Sequence, residues 1–84
     1  MALEARAVKD QVAGLCRAHG YKLISFRRRK DGNYMIVLRW DPTYVGRGRI
    51  YQQIELVAPL SRAYATVFHY IDGGNTNVVF MGKR

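Results

Sequence analysis

The sequence predicts an α+β fold in which one N-terminal helix packs on an antiparallel meander sheet of four to five strands. Apolar residues recur at helical spacing before Gly20, and after it the pattern changes to stretches of two-residue alternation separated by turn residues. An 84-residue chain can build one hydrophobic core and not a second, so residues 1–84 are expected to form a single domain. A domain of that size buries roughly 60–65% of its unfolded surface, which leaves little material for a deep catalytic pocket.

The helix is expected over about residues 2–19. Ala2 to Arg17 is rich in good helix formers. Val8, Val12, Leu15 and Cys16 follow the i, i+4, i+7, i+8 stripe, with Leu3 and Ala5 near its start. Glu4 lies early and Arg17 late, as the helix dipole prefers. Gly20 follows His19 as the residue expected to take the left-handed conformation that stops the helix. Cys16 on the stripe reads as a small buried hydrophobe, and a single cysteine excludes an internal disulfide framework. His19 has no ligand partner at metal-binding spacing and reads as a helix-end residue.

Five stretches read as strands, at about 21–29, 33–41, 49–58, 64–71 and 76–81, rich in Ile, Val, Tyr, Phe and Thr. The first two form a hairpin around Lys30-Asp31-Gly32. A two-residue loop would mix apolar and charged side chains on both faces. A three-residue loop pairs Arg29 with Asn33, Phe26 with Ile36 and Ile24 with Leu38. One face then carries Ile24, Phe26, Ile36, Leu38 and Trp40, and the other Arg27, Arg29, Met35, Val37 and Arg39, with Arg28 on the apolar side near the turn. In the third strand Ile50, Ile54, Leu56 and Ala58 are expected to point inward and Arg49, Tyr51, Gln53 and Glu55 outward, with Pro59 ending it. Asp72-Gly73-Gly74-Asn75 is a tight turn joining the last two strands. Pairing across it groups Val67, His69, Ile71, Val78 and Phe80 on one side and Thr66, Phe68, Tyr70, Val79 and Met81 on the other. Both sets are apolar, so this hairpin is either covered on both sides or forms a homodimer contact through residues 64–81.

The net charge of +8 is unevenly spread: residues 21–49 hold eight basic against two acidic side chains. A concentrated charge of this kind recruits a polyanion. Arginines outnumber lysines ten to four, which favours bidentate contacts to phosphate or carboxylate. The expected site is the open face of the first three strands, with Arg27, Arg29 and Arg39 beside Arg49, Tyr51 and Gln53, and Lys30 at the turn. Guanidinium groups neutralise phosphates, and aromatic rings stack on bases without choosing among them. A flexible 41–49 loop adds Tyr44 and Arg47, the latter between Gly46 and Gly48. That loop lacks the Gly-Lys-Ser/Thr of a phosphate-binding loop and the spacing of a dinucleotide fingerprint.

These residues predict non-catalytic binding of nucleic acid, RNA or DNA. The alternative is a small protein-interaction module (a linker, assembly subunit or inhibitor) docking an acidic protein surface. Enzyme chemistry is not expected: His19 and His69 lie 50 residues apart, and Asp31, Asp41, Glu55 and Asp72 form no pair at acid–base or metal-binding spacing. Ser25 and Ser61 lack a nucleophile-elbow context. No cofactor or metal is expected. No apolar run approaches the ~18–20 residues that span a bilayer, and residues 1–20 lack a signal-peptide core, so a cytoplasmic protein without a membrane partner is expected. The stretch Arg27 to Tyr34 resembles the basic hairpin of the small RelE-type mRNA-cleaving toxins, over eight residues only. The helical hairpin that precedes the sheet in that family has no counterpart here. That resemblance implies a small ribonuclease as a third reading.

Overall fold

A computed structural model describes residues 2–46 and 48–84, with side chains from Glu4 onward except at residue 47. The expectations for Arg47 and for the side chain of Leu3 lie outside the described residues. In chain order the elements are α1 (Ala2–His19), β1 (Tyr21–Arg28), β2 (Tyr34–Trp40), α2 (Arg49–Ser61), β3 (Tyr64–Ile71) and β4 (Thr76–Lys83).

Helix α1 follows the expected stripe: Val8, Val12 and Cys16 are buried, with Ala5 and Leu15 packed beside them. Burial pushes the Cys16 thiol up to about 11 against the opposing charge of Arg17, as befits a packing residue. Gly20 ends the helix at φ 77, where a Cβ would collide with the Gln52 amide and the Tyr44 ring.

The β1–β2 hairpin has the three-residue loop. The Arg29 N–H donates to the Asn33 carbonyl at 2.7 Å, Gly32 is left-handed at φ 86, and Phe26 lies opposite Ile36. Farther from the turn the register shifts between Leu23 and Ser25. Leu23, not Ile24, therefore faces Leu38, and Ile24 bulges outward, 53% exposed. A bulge adds one unpaired residue and turns the remainder of the strand over. It sends Tyr21 and Leu23 to the core side in place of Ile24.

The expected third strand, 49–58, is instead helix α2. Its buried residues, Gln52, Leu56 and Leu60, are spaced by four, whereas Ile50 and Ile54 are 71% and 53% exposed. A strand would put Ile54 and Leu56 on one face, and a helix separates them. The Ile, Tyr and Val content favours extension only weakly, and burial of the four-residue stripe outweighs it. Pro59 lies inside the last turn of α2 rather than ending a strand.

The sheet therefore has four strands, all antiparallel, in the order β1-β2-β4-β3. Because α2 carries the chain past the β4 position, β4 inserts between β2 and β3, and two hairpins pair through β2 and β4. Both helices lie on one face: α1 packs on β1, α2 on β3, and their stripes meet Ile36, Leu38, Val79 and Met81 in one core. Among the described residues, the other face carries no helix. The face sets of the last hairpin follow the expected pairing, with Val67 opposite Phe80 and Phe68 opposite Val79. Only the second set is covered by helices.

Gln52 joins three elements. Its side chain accepts the Trp40 indole N–H at 3.1 Å and donates to the His19 carbonyl at 3.1 Å. The Tyr44 hydroxyl donates to the Ala18 carbonyl at 2.7 Å, so the end of α1 is satisfied from outside its own helix. His19 sits at the helix end as expected, with its Nδ1 3.1 Å from Glu55 on α2. Among the described residues, no helix is long and apolar enough to cross a membrane.

Candidate functional site

Strand alternation and the paired registers assemble the uncovered face in three rows, each running from β1 through β2 and β4 to β3. The first reads Arg27, Met35, Phe80, Val67; the second Ser25, Val37, Val78, His69; the third Lys22, Arg39, Thr76, Ile71. Arg29 continues the cationic side just past the end of β1, and Lys30 follows in the turn. Lys22, Arg27, Arg29, Lys30 and Arg39 thus share the β1–β2 half. The middle of the β4–β3 half of this face, Val78, Phe80, Val67 and Ile71, is apolar apart from the His69 imidazole, and at the end of β4 Lys83 lines a hollow with Ala65, Val67 and Phe80.

The two halves meet at Phe80. The Arg29 guanidinium stands 5.7 Å from the Phe80 ring centre. The His69 ring meets the same ring edge-on, at 5.5 Å and 83°. Arg27, Arg28, Arg29 and Lys30, with Met35 and Phe80, line an open depression of about 600 Å³. Apolar side chains beyond it remain half exposed, Val67 at 53% and Ile71 at 51%. The arrangement offers cations for phosphate or carboxylate groups and one aromatic face on which a planar group can stack.

Of the residues expected at the site, Arg27, Arg29, Lys30 and Arg39 come together. Arg49 and Tyr51 do not, because the segment that carries them is helical and belongs to the opposite layer. Arg49 opens α2 with its guanidinium 4.5 Å from the centre of the Trp40 ring, pressed close to Gly74. Its Nε and Nη2 are buried and have no hydrogen-bond partner among the described residues. Arg49 is therefore a packing residue whose charge opposes the burial that raises the neighbouring Tyr21 hydroxyl above its usual range. Tyr51 is 51% exposed on α2, and Gln53 accepts a hydrogen bond from Tyr70. Tyr44 is tied to α1 by its hydroxyl, so its side chain lies against the helical layer rather than over the sheet. That loop is also braced at its start. The Asp41 carboxylate accepts from the Thr43 hydroxyl at 2.6 Å and from the Thr43 N–H at 2.9 Å, and these bonds hold it below the usual carboxylate range.

Phe80, His69 and Lys22 were not among the expected site residues. Phe80 and His69 were grouped correctly by hairpin pairing, but nothing local connects that hairpin to Arg27. The connection is the β2–β4 pairing, which crosses α2. Lys22 joins the face only because the bulge reverses the strand. Among the described residues, no three His, Cys, Asp or Glu side chains converge as metal ligands. No protein-family model, curated protein or solved structure matches this chain.

Proposed function

We propose that this protein binds nucleic acid, without catalysis, through the uncovered face of its sheet. The observation that carries this reading is Phe80 on the uncovered strand surface, with the Arg29 guanidinium over its ring at 5.7 Å and the His69 ring at 5.5 Å, beside a group of cations. Cations alone fit any acidic surface. An aromatic ring among guanidinium groups, half-buried and covered by a cation that can move aside, adds affinity for flat π-systems joined to phosphates. Tyr44, Arg49 and Tyr51 form no part of this interface. Binding rather than cleavage is favoured because His69 is flanked on its face by Val78, Val67, Ile71 and Phe80, which supply no second acid–base group.

The test is a titration against single-stranded and duplex RNA and DNA at two salt concentrations. With about five cations engaged, log K for a single strand should fall against log salt with a slope of roughly −3 to −4. RNA should remain intact on incubation. Binding that is flat in salt overturns the reading. So does tight binding to an acidic protein that polynucleotide fails to compete, and that result assigns the face to protein docking.

A further inference from the structure

We infer that the ligand is a single strand that lies along the sheet with its phosphates over the β1–β2 half and its bases over the β4–β3 half. This deepens the nucleic-acid reading and rests on it. The face is divided lengthwise. Arg27, Arg29 and Lys30 lie at the turn end of β1 and β2 and Lys22 and Arg39 at the other, with Ser25 and Val37 between, so two groups of cations mark out a line parallel to the strands. From the Lys22–Arg39 pair to the Arg29–Asn33 pair this line covers the seven residues Asn33 to Arg39, six steps and about 20 Å at ~3.3 Å per residue. The surface beside it, Phe80, Val78, Val67, His69 and Ile71, is apolar apart from one imidazole.

The separation suits one nucleotide. β1 and β4 are two strand spacings apart, about 10 Å, which is comparable with the reach from a phosphate across the sugar to the far edge of its base. A strand with its backbone on the cations therefore delivers bases to Phe80 and His69. The Arg29 guanidinium lies over the ring at 5.7 Å. A base settling on Phe80 moves Arg29 toward the phosphate line, so the cation gains a charged partner as the ring gains a stacked one. A duplex obtains only half of this. Its bases are already stacked and paired, so the uncharged half of the face would lie against a charged backbone and lose water without compensation.

The deciding comparison uses the wild-type protein and three labelled probes: a mixed-sequence octanucleotide single strand, an abasic strand with the same backbone, and the octanucleotide as a duplex. The base-bearing strand should bind about tenfold or more tighter than the abasic strand, the scale expected for one or two stacked bases. It should also bind tighter than the duplex. Phe80→Ala should bring the affinity for the base-bearing strand close to that for the abasic one, and Phe80→Tyr should keep the difference. The wild-type comparison decides the matter independently of how Phe80→Ala folds. Equal binding of the base-bearing and abasic strands, or preference for the duplex, overturns this inference and leaves salt-dependent nucleic-acid binding standing. Failure of all three probes to bind at low salt overturns both. Sedimentation of the protein alone supplies the remaining outcome. A dimer that oligonucleotide does not dissociate, and that masks the face, assigns it to a second copy of this chain and also overturns both.

Discussion

The guanidinium of Arg49 lies over Trp40 and close to Gly74, whereas Arg39 projects from the uncovered face of β2. Removing Arg49 deletes a stacked cation and the stem that fills the space around it. Arg49→Ala should therefore cost about 1–2 kcal/mol in urea denaturation. Arg39→Ala should stay within about 0.5 kcal/mol and should weaken oligonucleotide binding, which Arg49→Ala leaves unchanged. Gln52 is the sharpest single point of the core. Truncating the buried Gln52 leaves the half-buried Trp40 indole N–H and His19 carbonyl without this partner, so Gln52→Ala should cost about 1–3 kcal/mol. Cys16 sets an alkaline limit. Its thiol is protonated in folded and unfolded chains below the ordinary value of 9.0, and in the folded chain it stays so up to about 11. The unfolded chain ionises first as pH rises through that window, so stability falls between those values. Tyr21, also raised by burial, acts in the same direction. Melting temperatures across the window should fall less steeply in Cys16→Ala than in the wild type.

Helix α2 shows how an element can be misread from correct residues. Arg49 to Ala58 alternates well enough for a strand, and its Ile, Tyr and Val content suits one. The competing signal is Gln52, Leu56 and Leu60, spaced by four, but it is led by a polar residue that counts as apolar only once its hydrogen bonds to Trp40 and His19 exist. Two substitutions separate the alternatives. Leu56→Ala should cost about 2–5 kcal/mol as a buried large-to-small change. Ile54→Ala, on the exposed side, should cost within about 0.5 kcal/mol. A strand would make the two costs alike. The bulge at Ile24 is the second departure, and it is small in the sequence for the same reason. Ile24 and Leu23 are both good core residues, so hydrophobicity alone does not choose which of them faces Leu38. The hairpin near the turn was legible because Gly32, Asp31 and the arginines constrain it locally. The Asp31 carboxylate, for instance, accepts the Asn33 N–H at 2.9 Å.

At the scale of the molecule, charge and apolar surface are divided between the two hairpins. The first supplies the cations and the second the apolar half with Phe80, and α2 between them sets which strands become neighbours. If the cations act as a common line, their contributions to salt dependence should be nearly additive. Arg27→Ala and Arg39→Ala together should reduce the single-strand salt slope by about 1.4, twice the ~0.7 expected for each phosphate that is no longer neutralised. Substitutions on α1, such as Lys9→Ala, should leave the slope unchanged because that helix lies behind the sheet.

The α1 stripe, the Gly20 stop, the Lys30-Asp31-Gly32 loop, the two faces of the last hairpin and the cluster Arg27, Arg29, Lys30 and Arg39 were all legible in the residues. Each depends on neighbours within one turn, one hairpin or one alternation, where sterics and periodicity act at short range. The helical state of 49–61, the insertion of β4 beside β2 and the meeting of Arg29 with Phe80 were not. These depend on which distant surfaces are buried together. α2 is helical because one stripe fits the core beside α1, and β4 lies beside β2 because the helical crossover leaves that edge of the sheet available for pairing. Local preferences of a few tenths of a kcal/mol per residue yield to the burial of whole side chains, about 1.5–3 kcal/mol each, and that burial exists only after the chain has closed on itself.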